Sequence, residues 1–340
     1  MTIDLRSDTV TKPTPGMLQA MMDAVVGDDV FREDPTVNLL EEHCAGLFGM
    51  ESAIYCPSGT MTNQIGINVL TQPYDEVICY KGSHIYKYEG GGLAGNSHVS
   101  TRLLQGDRGR LSVKEIGANI NSADSHYPNT SVVALENTVV REGGSYYTLD
   151  QIKEVCDFSR SKGLLTHLDG ARLFNALEET KDDPREIGKH FDTISICLSK
   201  GLGAPVGSVL LCRKEWMAKA RRMRKVFGGG MRQAGYLAAA GLYALVHHVS
   251  RLKEDHVRAR EIGKVLSNLS YVKSVMPVDT NIVIFELKDG VTPAQFVESI
   301  ALEGIRVLAF SATEIRMVTH LDFNDEMLDQ TMRVLKAMKF

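Results

Sequence analysis

From about residue 50 to residue 245, short apolar runs alternate with segments of helical period, and this alternation restricts the fold more than any other feature of the chain. The runs Ser52–Cys56, Glu76–Tyr80, Ser131–Glu136, Leu164–Asp169, Thr193–Leu198 and Ser208–Cys212 read as buried strands. Leu149–Ser161 reads as one of the helices between them. Buried strands separated by helices imply an α/β fold with a mostly parallel central sheet covered on both faces. Ligands of such sheets bind beyond the carboxyl ends of the strands.

The pattern changes at Val249–Leu269, a highly charged stretch with a thin apolar stripe. It predicts a long, partly exposed helix that connects two domains. Beyond it, Ile282–Leu287, Arg306–Ala309 and Glu314–Thr319 read as strands, and Pro293–Glu303 and Glu326–Met338 as helices. The expected organisation is an N-terminal arm plus a large α/β domain over residues 1–248, then the connecting helix and a small α+β domain over residues 249–340.

Composition removes several classes of function. Of 340 residues, 44% are hydrophobic and 24% charged, which suits a packed globular chain and excludes global disorder. A net charge of −4 argues against a dedicated nucleic-acid binder. The first residues carry two early acids, Asp4 and Asp8, and no apolar segment, so they do not read as a signal peptide. The longest apolar stretch, Tyr236–Val246, is too short to span a bilayer, so no membrane partner is expected. Six scattered cysteines with no Cys-x-x-Cys pair predict reduced core thiols in a cytoplasmic protein and no metal site.

Five sites could carry chemistry. Asp169, followed by Gly170, Ala171 and Arg172, ends one apolar strand, and Lys200, followed by Gly201-Leu202-Gly203, ends a later one. Their separation of 31 residues suits one strand–helix–strand step, so both can project into one cavity. Cys56-Pro57-Ser58-Gly59-Thr60 follows a strand and opens a helix, offering hydroxyls and backbone N–H groups to an anion. It lacks the endings of a Walker loop or a dinucleotide turn. His84, after the strand Glu76–Tyr80, could stack on a planar ligand or handle protons, and His126 is a second such candidate. Lys225 to Arg232 frames three glycines between cations. Taken singly, each site has a plainer reading: a capping Asp, a rim lysine, an ordinary N-cap, a partly buried histidine, a solvated basic helix end. Their joint order is more specific. A lysine to hold an aldehyde, an acid to keep a pyridine nitrogen protonated and a helix start for a phosphate meet the demands of pyridoxal phosphate.

At this point the chain resembles the L-threonine aldolases. The resemblance rests on Leu5-Arg6-Ser7-Asp8-Thr9-Val10-Thr11, Asp34-Pro35-Thr36-Val37-Asn38, Asp169-Gly170-Ala171-Arg172, Leu198-Ser199-Lys200-Gly201-Leu202-Gly203, Gly228-Gly229-Gly230-Met231-Arg232-Gln233 and Arg316-Met317-Val318-Thr319-His320-Leu321-Asp322. It implies the fold of the pyridoxal-phosphate-dependent transferases (aspartate aminotransferase, fold type I) and cleavage of L-threonine and L-allo-threonine to glycine and acetaldehyde. It implies that Lys200 holds the cofactor as a Schiff base, that Asp169 pairs with the pyridine nitrogen and that His84 stacks on the ring. Gly59 and Thr60 would bind the phosphate, with Arg232 and Lys225 helping from a neighbouring subunit. Ser7, Arg172 and Arg316 would hold the substrate carboxylate, and His126 would lie near the side-chain hydroxyl. The base stays open between His84, His126 and a water held by them. The resemblance also implies a homodimer or homotetramer with shared active sites. Two departures, Phe31-Arg32-Glu33 and Val139-Val140-Arg141, fall where many members read Tyr-Gly-acid and His-Asn. The alternatives are a β-eliminating lyase or aminotransferase of the same fold, and a cofactor-binding protein without turnover. The complete set Lys200, Asp169, Arg172 and Arg316 speaks against the last.

Overall fold

The structure is a computed structural model that describes residues 2–340. Its centre is a seven-stranded sheet in the order Ser52–Cys56, Ser208–Cys212, Thr193–Cys197, Leu165–Gly170, Asn129–Glu136, Asp75–Tyr80, Ser100–Leu104. Ser208–Cys212 is antiparallel to both neighbours, and every other pairing in the sheet is parallel. The six strands expected from the sequence are present, with ends shifted by a residue or two. The seventh, Ser100–Leu104, has no apolar run because it lies at the sheet edge and only Leu104 is buried.

The helix expected over Val249–Leu269 spans Leu252–Leu266. Its buried positions include Leu252, His256, Ala259, Ile262, Gly263 and Leu266, a stripe at helical spacing. It packs against the large unit through the helix Leu173–Thr180 and against the C-terminal unit through Ile282–Leu287 and the helix Asp325–Ala337. The C-terminal sheet runs Leu308–Ala309, Glu314–Val318, Ile282–Leu287, Val272–Val275, all antiparallel.

The single strand expected at Arg306–Ala309 is instead two short ones that part at Val307. Leu308–Ala309 joins the C-terminal sheet, whereas Ile305–Arg306 pairs in parallel with Ile3–Asp4 of the N-terminal arm. Ile3 and Leu5 are buried in the C-terminal core beside Phe285 and Met317. The first residues of the arm thus pack with the C-terminal unit, although they precede the large one in sequence.

From there the arm crosses to the large sheet. Asp8 is fully buried and accepts from Arg172 Nε (2.8 Å) and Nη2 (2.6 Å), just past the end of strand Leu165–Gly170. Thr11 Oγ1 donates to the carbonyl of Lys200 (2.9 Å). Lys12 N donates to Asp322 Oδ2 (3.0 Å), back on the C-terminal side. The arm therefore ties both units to the strand ends where a ligand would sit.

Burial alone would raise the pKa of Asp8, but the charge and hydrogen bonds of Arg172 outweigh it and hold the carboxyl at about 2, below its usual 3.8. A depressed carboxyl stabilises the fold above its unfolded pKa and loses that contribution as the pH falls towards its folded pKa. The stability difference between wild type and Asp8→Asn, measured by urea unfolding, should therefore shrink by about 1 kcal/mol from pH 5 to pH 3. A difference that stays constant over that range would contradict the assignment.

Candidate active site

The strands Thr193–Cys197 and Leu165–Gly170 are parallel neighbours, with Asp169 opposite Ser195. Their carboxyl ends open at the same edge of the sheet. Thr193–Cys197 is buried throughout and leaves the sheet through Leu198-Ser199-Lys200. Asp169 and Lys200 thus line one cavity of about 220 Å³, together with Gly59, Thr60 and His84.

The helix Gly59–Leu70 begins at this cavity. Its N-cap is Ser58, whose Oγ accepts from Met61 N (3.2 Å), leaving other first-turn N–H groups for an anion. A Cβ on Gly59 would stand 2.5 Å from Cys197 Sγ. Only glycine lets the helix start approach the end of strand Thr193–Cys197 this closely.

Asp169 is buried and held on both oxygens. Oδ1 accepts from Ala171 N (3.2 Å) and Oδ2 from Asn63 Nδ2 (3.0 Å). The same Asn63 amide donates to Glu89 Oε1 (2.8 Å). Its Oδ1 faces His167 Nε2 at 3.1 Å, and His167 Nδ1 faces Thr193 Oγ1 at 2.8 Å. Burial pulls the His167 pKa down to about 4, so the ring is neutral near pH 7. A neutral His167 that donates from Nε2 orients Asn63 with both amide protons towards the carboxylates.

Glu89 also accepts from Gln64 Nε2 (2.6 Å) and faces His84 Nδ1 at 2.9 Å. Burial pulls His84 down, but the Glu89 hydrogen bond and the charges of Asp169 and Glu89 outweigh it and raise its pKa. The backbone N–H of His84 donates to Glu136 Oε2 (2.8 Å), and Val140 N donates to Glu136 Oε1 (2.9 Å). Burial first, and then the charge of Asp169, push the Glu136 carboxyl up to about 7. Glu89 thus holds the His84 side chain and Glu136 its backbone, while the charge of Asp169 acts on the same ring.

Asn63, Gln64, Glu89, Glu136 and His167 were not among the site residues expected from the sequence. One signal was available: Thr62-Asn63-Gln64 is a polar triplet inside an apolar helix, and all three residues are buried. Buried polar groups need partners, so such a triplet points to a network.

The residues expected to hold a carboxylate do not line this cavity themselves, although Ser7 and Arg172 are close in sequence to Thr9 and Ala171, which do. Ser7 Oγ caps the short helix Asp8–Val10 by accepting from Thr9 N (3.3 Å). Arg172 is buried and paired with Asp8. Arg316 Nη2 donates to the carbonyl of Arg6 (3.0 Å), while its buried Nε has no hydrogen-bond partner. Burial, and then the charge of Arg172, lower the Arg316 pKa to about 10. An orphan guanidinium N–H beside a second arginine is a receptor for an anion.

The structure does not bring the remaining expected residues to the cavity of their own chain. The His126 side chain is 85% exposed on the loop before Asn129–Glu136, with Nδ1 2.7 Å from Asp124 Oδ1. Lys225 is exposed on the last turn of the helix Lys214–Val226. Arg232 is 55% exposed and pairs with Asp28 (2.9 Å). Short local acids and solvent satisfy these groups where they stand.

Comparison with known proteins fits this geometry. The model of the β-eliminating lyase family matches residues 4–289. A low specificity L-threonine aldolase of Escherichia coli K12 is 39% identical over 327 residues, covering 96% of each chain. A probable low-specificity L-threonine aldolase 2 of Arabidopsis thaliana is 40% identical over 333 residues, covering 95% of this chain and 93% of the relative. Among solved structures, the threonine aldolase of Leishmania major superposes with a TM-score of 0.84 at 19% identity, covering 98% of both chains. A serine palmitoyltransferase of Sphingomonas wittichii gives 0.77 at 16% identity, over 99% of this chain and 86% of the other. The fold expected from the sequence, fold type I with a mostly parallel central sheet and a small C-terminal α+β unit, is therefore the fold observed. Alignment with such relatives over nearly the whole length shows that the chain belongs to the low-specificity L-threonine aldolase family.

Proposed function

We propose that this protein is a pyridoxal-phosphate-dependent lyase that cleaves L-threonine and L-allo-threonine to glycine and acetaldehyde. The observation that carries the reading is the convergence of Lys200, Asp169 and the start of helix Gly59–Leu70 on one cavity. The residues present fit the cofactor: a lysine amine, a buried carboxylate fixed by two donors, and a helix start cleared by a glycine. Lys200 would hold the aldehyde, Asp169 the pyridine nitrogen, His84 the ring face, and Gly59 and Thr60 the phosphate. When bound, the cofactor supplies the sink for the electron pair released when Cα–Cβ breaks.

The chain's own residues do the rest. Ser7, Arg172 and Arg316 fix the substrate carboxylate and so set which bond at Cα lies across the ring, a positioning effect. A base must take the proton of the β-hydroxyl as the aldehyde leaves. His84 lines the cavity and has a raised pKa, so we assign it this proton, directly or through a water. Under this reading His126 acts only from a neighbouring subunit.

Sharing of sites in a homodimer or homotetramer is part of the proposal. It is supported by the exposed Lys225 and Arg232, which flank a glycine-rich turn, and by Met22, Val25 and Phe31, exposed in the same segment as Asp28, the partner of Arg232. The described residues include no helix long and apolar enough to cross a membrane. All six cysteines are buried and unpaired, which suits the reducing cytoplasm.

Incubation of the cofactor-loaded protein with each substrate should give equimolar acetaldehyde and glycine, and Lys200→Ala should lower the rate by about a thousandfold or more. Keto acids in place of glycine and aldehyde would move the reading to transamination or to β-elimination, the latter being the chemistry in the name of the matching family model. Gly59→Ala should weaken cofactor binding roughly tenfold, read by absorbance during reconstitution, because the new methyl displaces the helix start. Mixing inactive Lys200→Ala with inactive Arg232→Ala protein should restore activity if sites are shared. A monomer that is fully active in light scattering and assay would end that part of the proposal.

A further inference from the structure

The turn Val140–Glu142 follows the strand Asn129–Glu136 and carries Arg141. The turn is held from both sides. Val140 N donates to Glu136, Arg108 Nη2 donates to the Glu142 carbonyl (2.8 Å), and the Val140 side chain packs on Ile282, Ile284 and Val318. Arg141 is therefore carried on a fixed backbone.

Its guanidinium donates to the Tyr88 hydroxyl and lies 4.6 Å from the centre of the Phe310 ring. The Arg316 guanidinium lies 5.1 Å from the centre of the same ring. The Tyr88 ring is 5.6 Å from that of His84, which lines the cavity. A run of contacts thus leads from His84 through Tyr88, Arg141 and Phe310 to Arg316.

Counting charge along this run leaves a surplus. Asp8 neutralises Arg172. Neither Arg316 nor Arg141 forms an ion pair with a carboxylate among the described residues, and their contacts are a carbonyl, a hydroxyl and a shared ring. Two like charges on one aromatic ring repel each other, and the nearby charge of Arg141 contributes to the lowered pKa of Arg316. An amino acid with an uncharged side chain brings one α-carboxylate, which suffices for one of the two.

We propose that Arg141 is a specificity-determining residue that binds a second anionic group at the far end of the substrate side chain, so that the enzyme also takes β-hydroxy-α-amino acids with an acidic side chain. This rests on the reaction proposed above. For 3-hydroxyaspartate, the hydroxyl proton passes to the base, Cβ–O becomes the aldehyde carbonyl of glyoxylate, the Cα–Cβ bond breaks, and Cα takes a proton to give glycine. No oxidant or co-reactant is needed.

The test measures kcat/KM of the cofactor-loaded enzyme for 3-hydroxyaspartate, by glyoxylate formed, and for L-threonine, by acetaldehyde formed. Using the ratio of the two removes any difference in the amount of active protein. The ratio should fall about tenfold to a hundredfold in Arg141→Gln, chiefly through KM for the acidic substrate, and less in Arg141→Lys, which keeps the charge. Wild-type enzyme that cleaves threonine but forms no glyoxylate overturns the proposal. So does a ratio unchanged in Arg141→Gln, which would leave Arg141 as a clamp on Tyr88. No acetaldehyde from threonine would instead overturn the reaction itself and this inference with it.

Discussion

The buried pair of Asp8 with Arg172 is the interaction on which the arrangement of this molecule rests. It joins an arm rooted in the C-terminal core to the end of a strand in the central sheet. Removing one partner of such a pair leaves an uncompensated charge in the interior, at a cost of about 3–5 kcal/mol. The arm also carries Ser7 and Thr9, and its backbone carbonyl at Arg6 receives Arg316. One ion pair therefore fixes the relative position of three groups of residues, on the arm, the large sheet and the C-terminal sheet, that a substrate would touch together.

A second, quieter device works inside the large unit. Thr193, His167 and Asn63 form a line of hydrogen bonds that ends on two carboxylates, Asp169 and Glu89. Each member has one orientation that satisfies its neighbours, and the neutrality of His167 removes the alternative. The network lies on three elements of the scaffold, the helix Gly59–Leu70 and the strands Leu165–Gly170 and Thr193–Cys197. An acid held in this way keeps its lone pairs aimed at the cavity without help from the ligand, which is pre-organisation in its electrostatic form.

Much of this was legible in the sequence because burial writes itself in apolar runs. The strand that carries Asp169 and the one that leads to Lys200 are buried at almost every position, so their ends, and the polar residues just beyond, stood out. The edge strand Ser100–Leu104 and the short Val272–Val275, with two exposed residues, bury too little to leave such a trace. The residues behind Asp169 were hidden for a different reason. Asn63 and Glu89 are 106 and 80 positions away from it along the chain, and only the packed sheet shows that they meet. The order of motifs suggested His126, Lys225 and Arg232, yet order along a chain does not say which copy of the chain a side chain serves. That distinction belongs to surfaces, and these three are on the surface.

The parallel pairing of Ile3–Asp4 with Ile305–Arg306 has a consequence for how the molecule comes into being. Contacts between residues some 300 positions apart form late, because the intervening chain must first be ordered. During synthesis the arm leaves the ribosome some 300 residues before the strand it joins. The strand bearing Asp169 and the one leading to Lys200 can assemble well before that strand appears, and Arg172 then waits without its counter-charge. Closure of the arm is thus the step that brings Asp8 to Arg172, and a chain that lacks residue 305 would leave the arm without its strand partner.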